Sequence, residues 1–105
     1  MSDIKLSICI PTFNRAQYLT TLLAALEETV EGLPFSCEVI VSDNASTDGT
    51  RSLAEAAADR LPLTYIRQPE NIGALRNIQR VIAAAKGTYA VYLADDDRLQ
   101  TEGLI

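Results

Sequence analysis

Apolar residues in this chain recur with two different periods, and the two patterns alternate regularly along its 105 residues. Short runs rich in Ile, Val and Tyr have the length and composition of buried parallel strands. These runs occupy residues 4–10, 37–42, 63–67 and 88–94. The segments between them repeat apolar residues every three or four positions, as amphipathic helices do. The sequence therefore predicts the order β-α-β-α-β-α-β.

Each predicted helix has one apolar face. The residues expected on these faces are Leu19, Leu22, Leu23, Leu26 and Val30 in the first helix, Leu53, Ala56, Ala57 and Leu61 in the second, and Leu75, Ile78, Ile82 and Ala85 in the third. Gly32 and Pro62 are expected to follow the ends of the first two helices, and Gly87 to be the C-cap of the third. This alternation favours the α/β class, with a Rossmann-like parallel sheet and helices on both faces.

The composition excludes several classes of protein. With 48% hydrophobic residues and this length, the chain fits a single globular domain. Its net charge of -5 argues against a nucleic-acid partner. It contains no transmembrane segment of roughly 20 apolar residues and no secretory pattern, so we expect a cytoplasmic protein. The absence of histidine excludes Ser-His-Asp and Cys-His mechanisms, and Cys9 and Cys37 are expected to be reduced core thiols.

Polar residues concentrate where the predicted strands end. Residues 11–15 follow the first strand, residues 43–50 the second, and residues 95–97 the fourth. Asn71 and Gly73, with Arg76 and Asn77 just inside the third helix, follow the third strand. The carboxyl ends of parallel strands lie at one edge of the sheet, where open α/β folds bind their ligands. We therefore expect four loops to converge on one space of ligand size.

The last of these loops contains three consecutive aspartates, Asp95, Asp96 and Asp97. Adjacent carboxylates repel one another unless a cation neutralises them. Mg²⁺ is usually held by one or two carboxylates together with the phosphates of a substrate. The cluster therefore indicates a divalent-metal site that accepts a nucleotide. A solvated turn or a helix N-terminus is the alternative explanation.

The first two loops also have structural explanations. Pro11 and Thr12 could simply end the first strand, and Asn14 could cap the first helix. The second helix is expected to be capped by one of Ser46, Thr47 and Asp48.

Asp43 and Arg76 leave further alternatives open. Asp43 ends a buried strand, where its carboxylate could accept a hydrogen bond from a ring N–H such as N3 of uracil. Arg76 is either an ordinary exposed arginine or, beside Asn71 and Gly73 near a helix N-terminus, a contact to a base or phosphate.

Together, the four loop motifs resemble the nucleotide-binding half of family 2 glycosyltransferases with the GT-A fold. The matching segments are residues 11–15, 39–50, 71–77 and 92–97, so the resemblance covers nearly the whole chain. It implies a nucleotide-diphospho-sugar transferase of the GT-A type that inverts the anomeric centre. The implied donor is a nucleotide-diphosphate sugar, with a UDP-sugar favoured, and the implied acceptor is a saccharide or a lipid-linked molecule in polysaccharide or glycoconjugate synthesis.

The resemblance also implies roles for individual residues. The residues expected to bind the nucleotide sugar are Pro11, Thr12, Asn14, Asp43, Asn71, Gly73, Arg76 and Asp95. A divalent metal, Mn²⁺ or Mg²⁺, is expected at Asp96 and Asp97. Many relatives begin this motif with an aspartate where the present chain has Ala94, which leaves the primary metal ligand open, with Asp96 favoured.

In that family, the catalytic base and most acceptor contacts come from segments beyond the position of Ile105. We therefore expect residues 1–105 to be a single nucleotide-sugar-binding domain, truncated from the N-terminal part of a longer glycosyltransferase. Such a domain is expected to bind donor weakly and to transfer little or no sugar. The full-length protein is expected in the cytoplasm or at the cytoplasmic face of the membrane.

Two other functions fit parts of the pattern. A sugar-nucleotide nucleotidyltransferase has a related sheet and metal-binding carboxylates, but the chain has no Gly-rich phosphate loop with a basic residue near its N-terminus. A non-catalytic receiver-like domain also pairs aspartates at strand ends. In the present chain, however, the triplet follows the fourth strand, and a lysine partner on a later strand is not evident.

Overall fold

A computed structural model describes residues 3–96, which form a four-stranded parallel sheet and three helices. The elements are β1 (Leu6–Thr12), α1 (Ala16–Glu31), β2 (Cys37–Asp43), α2 (Thr50–Ala57), β3 (Leu63–Arg67), α3 (Ala74–Ala83) and β4 (Tyr89–Tyr92). The strand order is β3-β2-β1-β4, and each neighbouring pair is parallel. The predicted α/β fold is therefore confirmed.

The two faces of the sheet are covered by different helices. Side chains alternate along a strand, so Ile8 and Ile10 of β1 face α1 and α2, whereas Cys9 faces the opposite side. There it packs with Ile40 of β2 and Val81 of α3. This arrangement confirms the prediction of helices on both faces. Because the strands are parallel, the carboxyl ends of β1, β2 and β4 lie at a single edge of the sheet.

Helix α1 follows its sequence prediction closely. Its four buried leucines are Leu19, Leu22, Leu23 and Leu26. The helix ends at Glu31 with Gly32 as its C-cap, as the glycine predicted. Burial of each leucine contributes about 1.5–3 kcal/mol relative to an exposed side chain.

None of the helices formed by residues 3–96 combines the length and apolar character needed to cross a bilayer. Cys9 and Cys37 are both free thiols, as expected.

The predicted apolar face of α3 is wrong at Leu75 and Ile82, whereas Ile78 and Ala85 are partly buried. Leu75 is 68% exposed and Ile82 is 44% exposed, whereas Asn77 and Val81 are the buried residues of this helix. The error has a physical cause, because Asn77 is polar but its amide oxygen and nitrogen are each hydrogen-bonded to Ser42 inside the fold. A pattern that counts only apolar residues assigns such a position to the solvent face.

Helix α2 is shorter than predicted. It ends at Ala57, so Leu61 is buried beyond the helix rather than on its last turn. Within the helix, Ala54 and Ala57 are buried and Ala56 is exposed. The predicted face therefore included one alanine on the wrong side.

Gly87 is not a helix C-cap, since α3 ends at Ala83 with Ala84 in that position. Instead, the Gly87 N–H donates to Ser7 Oγ at 2.8 Å, and the Ser7 hydroxyl donates to Glu38 Oε2 at 2.5 Å. This network lies at the amino edge of the sheet and holds the start of β4 against β1. The glycine is needed because the backbone approaches β1 so closely.

We expect Gly87→Ala to lower the free energy of unfolding by about 2 kcal/mol. An added Cβ would lie 2.7 Å from Ser7 Oγ and 2.9 Å from Ser7 N, so the backbone of β1 would have to shift. Urea unfolding followed by circular dichroism measures the effect. Gly49→Ala is the matched control, because a Cβ there meets no atom within 4 Å. Equal stability of the two variants would contradict the close approach.

Candidate functional site

A cavity of about 390 Å³ lies at the carboxyl edge of the sheet. Its volume falls within the range of small-molecule sites in proteins. The described residues that line it are Pro11, Thr12, Phe13, Arg15, Asn44, Asn71, Ala74, Asn77, Ile78, Tyr92, Ala94, Asp95 and Asp96. These residues come from the ends of β1, β2 and β4, from the loop after β3 and from α3. The loops therefore converge as the strand-end motifs predicted.

The acidic corner of this cavity is formed by Asp95 and Asp96 with two residues of the β1 end. The Thr12 hydroxyl donates to Asp95 Oδ2 at 2.8 Å. Arg15 Nε lies 3.4 Å from Asp95 Oδ1, and Arg15 Nη2 donates to Asp96 Oδ2 at 3.2 Å. Asp95 is buried, whereas the Asp96 side chain is 46% exposed. The two carboxylates are thus held on either side of one positive group.

Burial is the largest influence on the Asp95 carboxyl and raises its pKa. The hydrogen bond from Thr12 and the charge of Arg15 act in the opposite direction, and the nearby charge of Asp96 adds to the rise. A further positive charge beside Asp95 would therefore stabilise the ionised form of its carboxyl group.

The carboxylate oxygens at this corner fit a Mg²⁺ or Mn²⁺ ion whose remaining coordination positions are filled by water and a bound ligand. Among residues 3–96, no group of three or more His, Cys, Asp or Glu side chains forms a metal cage. Two adjacent carboxylates beside an open cavity are the arrangement in which Mg²⁺ takes its other ligands from water and substrate phosphates. Asp97, the other predicted metal ligand, lies outside the described residues.

The polar wall of the cavity is built by two asparagines. Asn44 Nδ2 donates to Asn71 Oδ1 at 2.9 Å, and Asn44 Oδ1 accepts from the Ile72 N–H at 2.8 Å. Asn71 Oδ1 also accepts from the Gly73 N–H at 2.8 Å. Gly73 has a φ of 89°, which favours glycine, and α3 begins at the next residue. These bonds fix the loop between β3 and α3 against the end of β2.

Asn77 connects the cavity to the sheet. Its Oδ1 accepts from Ser42 Oγ at 2.7 Å, and its Nδ2 donates to the Ser42 carbonyl at 2.9 Å. Gln68 Nε2 donates to the same Ser42 Oγ at 3.1 Å. All three side chains are buried, so this network positions α3 beside the cavity.

Asp43 is not among the described residues that line the cavity, although its neighbour Asn44 is. The Asp43 side chain is fully buried, and three donors surround it. Oδ1 accepts from the Ser46 N–H at 2.9 Å, while Oδ2 accepts from the Tyr65 hydroxyl at 2.5 Å and from Arg67 at 3.2 Å. The carboxylate therefore joins the ends of β2 and β3 to the loop that follows β2.

The loops after β1 and β2 are hydrogen-bonded to each other. Asn14 has a φ of 50°, its N–H donates to Ser46 Oγ at 2.8 Å, and its Oδ1 accepts from the Thr47 N–H at 2.7 Å. Asp48 accepts from the N–H groups of Ala16 and Thr50, which lie in the first turns of α1 and α2. One carboxylate thus stabilises the N-termini of two helices, whereas the sequence predicted a role only at the second.

We expect the stability contributed by Asp48 to depend on pH. Burial acts to raise its pKa, but the hydrogen bonds from Thr50 and Ala16 outweigh burial and lower it. A lowered pKa in the folded state means that this stabilisation is present above the unfolded value of about 3.9 and is lost as the pH falls through the folded value.

Unfolding of Asp48→Asn measures this contribution. The variant is expected to be about 1 kcal/mol less stable than the parent at pH 6, and the difference should shrink below pH 3. Asp59→Asn, at an exposed aspartate, is the control and should change stability by less than about 0.5 kcal/mol. A difference for Asp48→Asn that stays constant with pH would contradict the assignment.

The structure brings some of the predicted site residues together and separates others from the cavity. The predicted residues that line it are Pro11, Thr12, Asn71, Asp95 and Asp96. Those that do not are Asn14, Asp43, Gly73 and Arg76, the last being exposed on α3.

Two polar lining residues, Arg15 and Asn44, received no individual role from the sequence, whereas Asn77 was expected in the crevice. Both belong to the strand-end motifs, a position that predicts that they lie near the cavity but not which groups they contact.

The fold and the site define an α/β domain with a ligand cavity at the carboxyl edge of its parallel sheet. The chain matches the sequence model of glycosyl transferase family 2 over residues 7–104. It therefore belongs to this family, and the GT-A fold suggested by the resemblance is confirmed. Family membership favours glycosyl transfer over the nucleotidyltransferase and receiver-like alternatives.

Two curated relatives illustrate the similarity. The chain is 36% identical over 101 residues to the abequosyltransferase RfbV of Salmonella typhimurium, covering 94% of the chain and 30% of that protein. It is 30% identical over 103 residues to the poly(ribitol-phosphate) β-N-acetylglucosaminyltransferase TarS of Staphylococcus aureus, covering 96% of the chain and 18% of that protein. The chain thus spans less than a third of the length of either relative.

Solved structures give the same picture. The complex of S. aureus TarS 1-349 with UDP-GlcNAc matches with a TM-score of 0.84 and 28% identity, over 96% of the chain and 29% of that structure. The mannosyltransferase PcManGT of Pyrobaculum calidifontis, in complex with GDP-Man and Mn²⁺, matches with a TM-score of 0.76 and 26% identity, over 91% of the chain and 28% of that structure.

Proposed function

We propose that this chain is the donor-binding domain of an inverting glycosyltransferase that uses a nucleotide-diphosphate sugar and a divalent cation. The observation that carries the proposal is the cavity in which Asp95 and Asp96 lie beside Thr12 at the carboxyl edge of the sheet. A UDP-sugar is the favoured donor, because TarS, whose structures include UDP and UDP-GlcNAc complexes, matches with a higher TM-score than the GDP-Man enzyme.

In this proposal, the acidic corner receives the diphosphate of the donor. Thr12 donates a hydrogen bond that fixes the orientation of the buried Asp95 carboxylate. Asp96 is more exposed and is the favoured primary ligand of Mn²⁺ or Mg²⁺, with Asp97 as the other proposed ligand. When bound, the divalent cation neutralises the negative charge that develops on the departing diphosphate.

The nucleoside is proposed to lie along the remaining walls. Pro11 and Tyr92 supply apolar surface, and Asn71 supplies a polar group at the cavity edge. Asn14 and Gly73 contribute through the backbone shape of their loops, since both have a positive φ.

Arg76 is proposed to contact the nucleotide from the exposed start of α3. The proposed contact between Asp43 and the base requires Tyr65 or Arg67 to move, because both side chains already donate hydrogen bonds to this buried carboxylate.

The acceptor half of the reaction is proposed for the whole enzyme and not for residues 1–105. We propose a saccharide or lipid-linked acceptor and a carboxylate base from other segments of a longer enzyme, acting in polysaccharide or glycoconjugate synthesis at the cytoplasmic side of a membrane. The chain covers 30% of RfbV and 18% of TarS, so most of each relative lies outside the matched region.

Calorimetry with UDP, GDP and dTDP tests the proposal directly. Each nucleotide is titrated into the protein with Mn²⁺, with Mg²⁺ and with EDTA. We expect UDP to bind most tightly and only with a divalent cation. Equal affinity in EDTA would contradict the metal requirement, and no binding of any nucleotide would contradict the proposed function.

A further inference from the structure

Arg15 occupies an unusual place in the cavity. Its guanidinium contacts both Asp95, at 3.4 Å, and Asp96, at 3.2 Å, and it lies 4.8 Å from the centre of the Tyr18 ring. Among the described residues that line the cavity, it is the only cationic side chain. The Arg15 side chain is 44% exposed, so it can rotate away from the carboxylates without disturbing the core.

The position between the two carboxylates can hold either a guanidinium or a divalent cation. Mg²⁺ carries twice the charge and approaches carboxylate oxygens to about 2.0–2.1 Å. Its Coulomb attraction is therefore roughly three times that of a guanidinium nitrogen at the distances seen for Arg15, before the cost of dehydrating the ion. A divalent cation and Arg15 therefore compete for the same two carboxylates.

We propose that Arg15 is an exchangeable counter-ion, which neutralises Asp95 and Asp96 in the resting protein and moves to the diphosphate when metal and nucleotide bind. This inference rests on the proposed function, because it takes the diphosphate as the ligand of the cavity. A guanidinium forms paired hydrogen bonds with phosphate oxygens, and the Tyr18 ring supports the arginine beside the site during the exchange.

The proposed exchange predicts that one substitution changes the affinities for two ligands in opposite directions. Arg15→Gln should strengthen the binding of Mg²⁺ alone by roughly fivefold, because the competing ion pairs are lost. The same variant should weaken the binding of UDP in saturating Mn²⁺ by roughly tenfold, because the charge-assisted bonds to the diphosphate are lost. A residue that only supports the fold would not move the two affinities in opposite directions.

The Mg²⁺ experiment follows the Arg15 Nε–Hε signal by NMR as Mg²⁺ is added without nucleotide. We expect that signal to shift together with the amide signals of Asp95 and Asp96. Arg51→Gln is the matched control, because it removes the same charge from an ion pair on the exposed face of α2. It should leave both affinities within twofold of the parent protein.

Three results would overturn the exchange. These are an Arg15 signal that stays fixed while Asp95 and Asp96 respond to Mg²⁺, a Mg²⁺ affinity of Arg15→Gln no higher than that of Arg51→Gln, and an unchanged UDP affinity of Arg15→Gln in Mn²⁺. If the parent protein binds UDP with metal but Arg15→Gln behaves like the control, only this inference fails. If the parent protein binds no nucleotide, the proposed function fails as well.

Discussion

Replacing Asp43 with alanine is expected to lower the free energy of unfolding by about 3 kcal/mol. The carboxylate is fully buried and accepts hydrogen bonds from the Ser46 N–H, the Tyr65 hydroxyl and Arg67. Its removal leaves these donors unpaired at the junction of β2 and β3. Water reaches Arg67, whose side chain is 35% exposed, and this access limits the loss.

Urea unfolding at pH 7 measures this effect. Asp43→Asn keeps one carbonyl oxygen as an acceptor and is expected to lose about half as much stability. Asp59→Ala, at an exposed aspartate, is the control and should change stability by less than about 0.5 kcal/mol. If Asp43→Ala keeps its stability but loses UDP binding, the carboxylate serves the ligand and the structural assignment is wrong.

Asp96→Asn is expected to weaken UDP binding in Mn²⁺ by at least roughly tenfold, with little effect on stability. The substitution removes a negative charge from the proposed metal corner, and the side chain is half-exposed, so the fold does not depend on it. Asp95→Asn should weaken binding as strongly. Asparagine keeps an oxygen that can accept from Thr12, and burial raises the pKa of the Asp95 carboxyl, so this second variant should change stability by less than about 1 kcal/mol.

Calorimetry with UDP in Mn²⁺ and in EDTA measures both variants. Glu55→Gln is the matched control, because it makes the same charge change on the exposed face of α2. It should bind UDP as the parent protein does. Metal-dependent binding that survives in Asp96→Asn and in Asp95→Asn would show that neither carboxylate is needed.

The order of the strands and helices along the chain and the location of the site were within reach of sequence reasoning. Strands of a parallel sheet are apolar on both faces, and α1 presents a continuous row of leucines, so their patterns are unambiguous. Since such strands end at a common edge, the polar motifs that follow β1, β2 and β4 had to meet. The cavity lies where this argument placed it.

The hydrogen bonds between side chains could not be predicted from the sequence pattern. Asn77 is buried because Ser42 satisfies its amide, and the presence of such a partner cannot be deduced from the periodicity of α3. Asp48 accepts a hydrogen bond from Ala16 at the start of α1, 32 residues earlier in the chain, and sequence periodicity does not predict such a contact. Arg15 was missed because its position opposite Asp95 follows only from the three-dimensional path of the first loop.

The central claim is that metal and donor diphosphate bind together at the corner formed by Thr12, Asp95 and Asp96. Paramagnetic broadening of amide NMR signals by Mn²⁺ in the presence of UDP tests it most directly. We predict that the signals of these three residues broaden, while those of Glu38 and Lys86 at the amino edge of the sheet stay sharp. Broadening centred on Glu38 and Lys86, or a Mn²⁺ concentration for half-maximal broadening that UDP does not lower, would contradict the claim.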